Sequence, residues 1–420
     1  MKYITKGIGI IDFQTKFLSS GYTISIQNER SFIMKNFSFY TPTMIKFGKG
    51  SIEKLPKLVE GKYRRILLHY GGGSIKKNGI YEDTINQLEK SGVQVFELGG
   101  VKPNPALSMV REGIRVVRDN EIDLILAVGG GSVIDSAKAI ALGALTDADI
   151  WDFFLGKEKV ERALPVGVIL TIPATGSEAS MGSVITNEDE NLKLAVNHDL
   201  LRPEFAIMDP EYTMSLPKDQ TFAGVMDILS HIFERYFTKT ENVDLTDSLA
   251  EATMRTVISN AYKLLKKPDD YSARAEIMLA GTIAHNGLLG LGREDDWSSH
   301  QLGHQLSALY GATHGVTLGI IFPAWMKYVY REDLDIFNKF AVNVFGVSAA
   351  GNTKEHVALE GIRRFEEFLK KIGLPRTLTE AGLPTDEYER MADLATSMGS
   401  FGALKKIDRA DAIEIYKLAE

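Results

Sequence analysis

Asp123-Leu-Ile-Leu-Ala-Val-Gly-Gly-Gly-Ser-Val-Ile-Asp-Ser-Ala-Lys138 is the stretch that decides the fold. It opens on a short, almost wholly apolar run, the pattern of a strand buried on both faces. Gly129-Gly130-Gly131-Ser132 ends the run, and Val133 to Leu142 continues as a small-residue helix. The same order recurs upstream. Arg65 to Tyr70 is an apolar run closed by Gly71-Gly72-Gly73-Ser74, then an amphipathic stretch with Ile80, Ile85 and Leu88. Val93 to Leu98 reads as a second strand. Pro105 to Asp119 reads as a helix, with proline near its first turn. Downstream, Val166 to Ile172 is another apolar strand. Strands alternating with helices predict a parallel sheet covered on both faces.

Beyond Leu216-Pro217 helical periodicity takes over. The spacing predicts helices over 219–237, 244–266, 270–290, 296–309, 314–330, 354–372 and 408–419, with no strand among them. The expected architecture is an α/β nucleotide-binding domain at 34–217 and an all-α domain at 218–420. The length agrees, since 420 residues exceed what one core holds, about 250–300. Residues 1–33 read as an N-terminal extension ahead of Met34.

Apolar residues make up 44% of the chain and charged residues 25%, so it can bury substantial cores without staples. The net charge of -7 and the lack of a long Lys/Arg run argue against nucleic-acid binding. Cysteine is absent, which excludes disulfides, iron–sulfur clusters and thiol catalysis. A metal site must therefore use histidine, carboxylate and water. No apolar stretch reaches the length of a membrane span. Ile8 to Ile11 is too short for the core of an export signal. The expected location is the cytoplasm.

Asp227 and His231 are four residues apart, which puts both on one helix face among apolar neighbours. Burying a carboxylate and an imidazole together is costly without a partner, and a divalent metal would serve. His300 and His304 repeat the spacing, and His314 follows after a turn. Imidazoles with one carboxylate suit zinc or ferrous iron. The residue after His300 is Gln301, so this is not a metalloprotease helix. His69, His198, His285 and His356 read as ordinary packing or surface residues, and Phe153, Phe154 and Trp297 as core packing.

Glycine turns between strand and helix let the backbone approach a pyrophosphate, and the helix N-terminus supplies amides. Gly129 to Ser132 has this form, and Gly71 to Ser74 is a second such turn. Thr171-Ile-Pro-Ala-Thr-Gly-Ser-Glu178 is a third, rich in hydroxyls. Three turns after successive strands meet at one edge of a parallel sheet, where ligands bind.

Taken together, these residues resemble the iron-containing (group III) alcohol dehydrogenases, in their butanol dehydrogenase and NADPH-dependent aldehyde reductase branch. The carriers are Tyr70-Gly-Gly-Gly-Ser74, Lys102-Pro-Asn-Pro105, the stretch Gly129 to Lys138, Thr171 to Glu178, Asp227-x3-His231 and His300-x3-His304-x9-His314. The resemblance runs from about Phe37 to the C-terminus. It implies a Rossmann-like N-terminal domain and an all-α C-terminal domain, the fold of dehydroquinate synthase and glycerol dehydrogenase.

The resemblance further implies metal ligands at Asp227, His231, His300 and His314, with Fe2+ or Zn2+ as the ion. His304 matches a non-ligand histidine beside the nicotinamide and substrate. The cofactor set is Gly71, Gly72, Gly73, Ser74, Asn104, Gly129, Gly130, Gly131, Ser132, Asp135, Thr171, Thr175 and Lys193. The Gly71–Ser74 turn lacks the acid that grips the ribose in NAD-preferring relatives, and Lys76 and Lys77 follow it. NADP(H) is therefore expected over NAD(H). The implied reaction is reduction of small aldehydes such as butyraldehyde, or oxidation of small primary alcohols such as butanol, in a homodimer. A polyol dehydrogenase or sugar-phosphate cyclase of the same fold and a non-catalytic metal-binding protein are the competing readings. A cyclase needs basic residues for phosphate around its metal, and the window from His300 to His314 has no Lys or Arg.

Overall fold

The apolar runs form a parallel sheet whose two faces belong to different cores. The structure is a computed structural model and describes residues 34–420; the expected extension at 1–33 lies outside the described residues. The strands are β1 (Met44–Phe47), β2 (Arg65–Gly71), β3 (Gln94–Val101), β4 (Leu124–Gly129) and β5 (Val166–Leu170). β6 (Gly182–Asn187) and β7 (Leu192–Asn197) form a separate antiparallel hairpin, and β8 (Phe205–Met208) completes the sheet. Its order is β1-β8-β5-β4-β2-β3, every neighbour parallel. Alternation splits each buried run between two layers. Leu124, Leu126 and Val128 of β4 pack on one side with Ile66 and Leu68 of β2. Ile125 and Ala127 pack on the other side with Leu67.

The connecting helices are α1 (Leu55–Val59), α2 (Ser74–Lys77), α3 (Ile80–Lys90), α4 (Leu107–Asp119), α5 (Gly131–Gly143) and α6 (Ile150–Phe154). The chain leaves β2 for β3 in one direction along the sheet and returns to place β4 on the other side of β2. This reversal puts the carboxyl ends of β2 and β4, Gly71 and Gly129, side by side at a topological switch point.

Residues from 218 onward are helical: α7 (Lys218–Tyr236), α8 (Asp244–Lys266), α9 (Tyr271–His285), α10 (Ser298–Tyr310), α11 (His314–Val329), α12 (Leu334–Phe345), α13 (Lys354–Ile372), α14 (Tyr388–Ala395) and α15 (Arg409–Leu418). Among the described residues no helix is long and apolar enough to cross a membrane. The expected helix at 270–290 stops at His285, because Asn286-Gly287 turns the chain with Gly287 at φ 102. Sequence reading missed β1, β8, the β6–β7 hairpin, α12 and α14. Four-residue strands such as β1 and β8 are too short to carry a period.

Two close backbone approaches hold α7 in place. A Cβ on Gly315 of α11 would stand 2.0 Å from the Ala223 carbonyl oxygen of α7. One on Gly224 of α7 would stand 2.5 Å from the Pro173 carbonyl oxygen, in the loop after β5. α7 is thus wedged between a helix and the loop edge of the sheet. Gly315→Ala is expected to lower the stability of the metal-free chain by ~1–3 kcal/mol through overpacking. Denaturant unfolding followed by circular dichroism measures this, and an unchanged midpoint would contradict the α7–α11 contact.

Candidate active site

Residues Thr221 to Tyr236 of α7 are all buried, so its polar side chains must find partners inside the protein. Asp227, His231 and Glu234 follow the helical repeat and share one face. His231 Nδ1 bonds the Asp227 carbonyl at 2.8 Å and stands 3.2 Å from Asp227 Oδ1. His314 opens α11 and brings its Nε2 to 3.8 Å from the same oxygen. His300 lies in the first turn of α10, with Nδ1 2.7 Å from Glu234 Oε1. Asp227 Oδ1, His300 Nε2 and His314 Nδ1 are left buried with no hydrogen-bond partner. One ligand atom from each of Asp227, His300 and His314 lies within 4.8 Å of the others, a grouping able to hold a metal ion. The fourth expected ligand, His231, is outside that grouping; its ring centroid is 4.7 Å from that of His300.

Five histidine rings pack in series, with consecutive centroid separations from 4.1 to 5.5 Å: His285, His231, His300, His314 and His304. Burial holds His285, His300, His304 and His314 well below the usual histidine range, and their neighbours add to it. For His304 and His314 the largest such neighbour is the Lys193 ammonium. Neutral imidazoles keep their lone pairs available to a metal. Burial also pushes the Glu234 carboxyl up to about 8.

His285 is the hydrogen-bonded packing residue the sequence suggested, but it packs against the cluster. Its ring is 4.1 Å from His231, and its Nδ1 bonds the Thr175 carbonyl at 2.7 Å, tying the cluster to the third turn. Trp297 is likewise more than core packing. It lies 5.0 Å from His300 and 4.9 Å from the Arg235 guanidinium, with its backbone left-handed at φ 64. Phe153 and Phe154 do pack in the core. Glu234, Arg235 and Trp297 were missed as site residues. The signal for Glu234 was present, three residues after His231 on the same face. His69 bonds Leu98 and Ser136, His198 accepts from the Leu200 amide, and His356 is exposed on α13.

The three turns come together as expected. Thr171 N donates to the Gly129 carbonyl at 3.0 Å. A Cβ on Gly131 would meet the Thr175 side chain at 2.4 Å, and one on Gly71 would lie 3.9 Å from Val133. α5 begins at Gly131 with no side-chain cap, so its first amides lack a partner of that kind. That end suits a pyrophosphate. Lys193 of β7 donates to Asn104 Oδ1 at 2.9 Å, and its charge bears on Asp227. Asp135 faces inward instead. Its Oδ1 accepts from Ser177 Oγ at 2.6 Å and its Oδ2 from the Val184 amide at 3.0 Å, so its carboxylate fastens the third turn. Lys76 is engaged as well, 3.7 Å from Glu97 and over the rings of Tyr70 and Tyr81. A surface depression of about 480 Å³ lined by Arg111, Arg115, Arg118 and Asp149 contains none of the expected site residues.

Comparison with known proteins agrees along most of the chain. The sequence pattern of iron-containing alcohol dehydrogenase matches residues 42–210, and that of the C-terminal region of the Fe-containing alcohol dehydrogenase family matches 221–419. NADH-dependent butanol dehydrogenase A of Clostridium acetobutylicum is 43% identical over 387 residues, covering 91% of this chain and 99% of the relative. NADPH-dependent aldehyde reductase YqhD of Escherichia coli is 38% identical over 353 residues, covering 83% and 90%. The crystal structure of NADH-dependent butanol dehydrogenase A from Thermotoga maritima superposes with a TM-score of 0.90 at 43% identity, covering 92% of this chain and 99% of that one.

Two outcomes are expected of this geometry. Asp227→Ala and His300→Ala should each reduce bound zinc or iron from about one ion per chain to near none, with the helical circular dichroism retained. Metal analysis of the purified variants checks this, and wild-type metal content in both would reject the grouping as an ion site. The second outcome concerns Lys193, whose folded pKa burial lowers from 10.5 to about 8. Between those values the unfolded chain binds the proton more tightly, so this contribution to stability rises with pH across the window. Lys193→Met should flatten that rise, read as the change in denaturation midpoint between the two ends of the window. Equal slopes would mean that Lys193 is not buried as described.

Proposed function

The chain belongs to the iron-containing alcohol dehydrogenase family, and from that premise we propose that it interconverts small aldehydes and primary alcohols, such as butyraldehyde and butanol, with NAD(P)(H) and a divalent metal. The observation that carries this reading is the buried grouping of Asp227, His300 and His314, one ligand atom of each within 4.8 Å of the others, in which Asp227 Oδ1 and His300 Nε2 have no hydrogen-bond partner. A carboxylate with neutral imidazoles fits Fe2+ or Zn2+. Asp227, His300 and His314 would hold the ion, joined by His231, whose Nδ1 is already occupied by the Asp227 carbonyl. The reading treats 34–217 as the nucleotide-binding domain, 218–420 as the metal-binding domain, and the cleft between them as the active site.

When bound, the ion supplies Lewis acidity to a substrate oxygen and the nicotinamide supplies hydride. The chain's own residues position the reactants. The α5 N-terminus at Gly130, Gly131 and Ser132 takes the pyrophosphate. Thr171 and Thr175 line the same path, and Lys193, steadied by Asn104, directs positive charge towards the reacting end. His304 passes a proton through its imidazole nitrogens to the product oxygen. NADP(H) is the favoured cofactor in this reading. The turn from Gly71 to Ser74 has no acid to repel a 2′-phosphate, and Lys77 ends α2. Lys76 contributes less than its position in the sequence implied, because Glu97 already holds it.

We place the enzyme in the cytoplasm, where the nicotinamide pool is, and propose that it works as a homodimer. The edge strand β1 and the segment before it expose Phe37, Phe39, Tyr40, Met44 and Phe47, an apolar edge that a second copy would cover.

The test is loss of reduced-nicotinamide absorbance with butyraldehyde, using NADPH or NADH, on metal-loaded and chelated protein. Metal-dependent turnover that is faster with NADPH is expected. Faster turnover with NADH would overturn the cofactor preference alone, and no turnover with either would overturn the reaction. His304→Ala is expected to lower kcat by ~10²–10⁴-fold with metal content unchanged. Undiminished kcat across the pH range would remove His304 from proton transfer.

A further inference from the structure

We propose that Glu234 is the positioning residue that fixes the tautomer and aim of His300, so that His300 Nε2 is presented to the metal. The inference rests on the reading that Asp227, His300 and His314 hold an ion. The Asp227-x3-His231 spacing ends at His231, and Glu234 lies one turn beyond it, fully buried on the same face of α7.

The geometry makes Glu234 Oε1 an acceptor. It takes the backbone amide of His300 at 2.9 Å and stands 2.7 Å from His300 Nδ1. An oxygen already accepting one N–H meets the ring nitrogen as an acceptor too, so the proton of the neutral imidazole sits on Nδ1. Nε2 then carries the lone pair, and it is the nitrogen left buried without a partner. A carboxyl group behind a ligating histidine orients the ring and raises its basicity. Glu234 Oε2 is itself buried and unpartnered. A buried, half-satisfied carboxyl is unfavourable unless a cation lies near. Arg235 does not bond this carboxyl, although its charge bears on it: it donates to the His231 carbonyl at 2.7 Å and approaches Asp295 at 3.7 Å. An ion held by His300 would bring a further positive charge towards this carboxyl.

Glu234 also fastens the segment that carries His300. Its backbone carbonyl accepts from the Asp296 amide at 2.8 Å, and its side chain meets the first turn of α10, whose N-cap Trp297 offers no side-chain cap. A purely structural role must therefore be separated from an orienting one. Asp296 supplies the control. Its carboxylate ties the same segment through the amides of Ser298, Ala403 and Leu404, and no bond joins it to the His300 ring.

The experiment measures zinc affinity by chelator competition on the full chain, with the absorption spectrum of the cobalt(II)-loaded protein as a second readout. Metal-free stability is recorded alongside. Glu234→Ala is expected to weaken zinc binding by ~10–100-fold and to alter the cobalt spectrum. Glu234→Gln, which keeps an acceptor at the same position, should recover much of the affinity. Asp296→Asn should lower metal-free stability yet bind zinc like the wild type. Wild-type zinc affinity in Glu234→Ala would overturn the proposal. So would an equal loss in Asp296→Asn, since loosening of the segment would then explain both. If the wild-type chain itself binds no zinc, cobalt or iron, the underlying metal reading fails, and the inference falls with it.

Discussion

Asp227 Oδ1, His300 Nε2 and His314 Nδ1 are buried in the interior without a hydrogen-bond partner, on three side chains that bring a ligand atom each within 4.8 Å of the others. Each such group costs about 1–3 kcal/mol in a buried setting. The surrounding structure accepts further costs to keep them there. Trp297, between the chain segment and the histidines, is left-handed, a conformation that costs of order 1–3 kcal/mol for such a residue. α7 gives up its solvent-facing side, and glycines at 224 and 315 let its backbone touch both the loop edge and α11. A divalent cation held among these side chains would turn the unmade bonds into coordination.

The sheet meets this cluster through a stiff set of turns. Lys138 is fully buried, and its ammonium donates to Ser177 Oγ and to the carbonyls of Ser180 and Gly182 at 2.8 to 2.9 Å. Asp135 holds the same segment through Ser177 and Val184. Two charged residues of the glycine motif are therefore spent on anchoring the third turn to α5. The motif glycines have a packing reason of their own, since a Cβ at 129, 130 or 131 would run into Val133, Ile172 or Thr175. Close packing behind the turn is compatible with the phosphate-binding role proposed for its amides. His285, bonding the Thr175 carbonyl, carries the connection across to the histidine cluster.

Much of this was legible in the chain. The apolar runs at 65–71 and 124–129 and the helices at 244–266 and 354–372 stand where their periods put them. The i,i+4 pairs at 227/231 and 300/304 signalled shared helix faces. What escaped reading has physical reasons. Short edge strands carry no period, and a hairpin outside the main sheet has no neighbouring pattern to identify it. Asp135 looked like a ligand contact because the motif lists residue types without saying which way they point. Glu234 went unnoticed because its partner, His300, is 66 residues away.

The sequence by itself determined the elements and the chemistry available. Local periodicity and turn residues decide helix and strand, and a cysteine-free chain with clustered histidines limits a metal site to imidazole and carboxylate. Only the tertiary structure decided which of eight histidines share a site, that His285 and Trp297 belong with them, and that Lys76 and Asp135 are already committed elsewhere. Those facts depend on contacts between residues tens to more than a hundred positions apart. Such contacts are set by how helices and sheet pack in three dimensions, and no spacing along the chain encodes them directly.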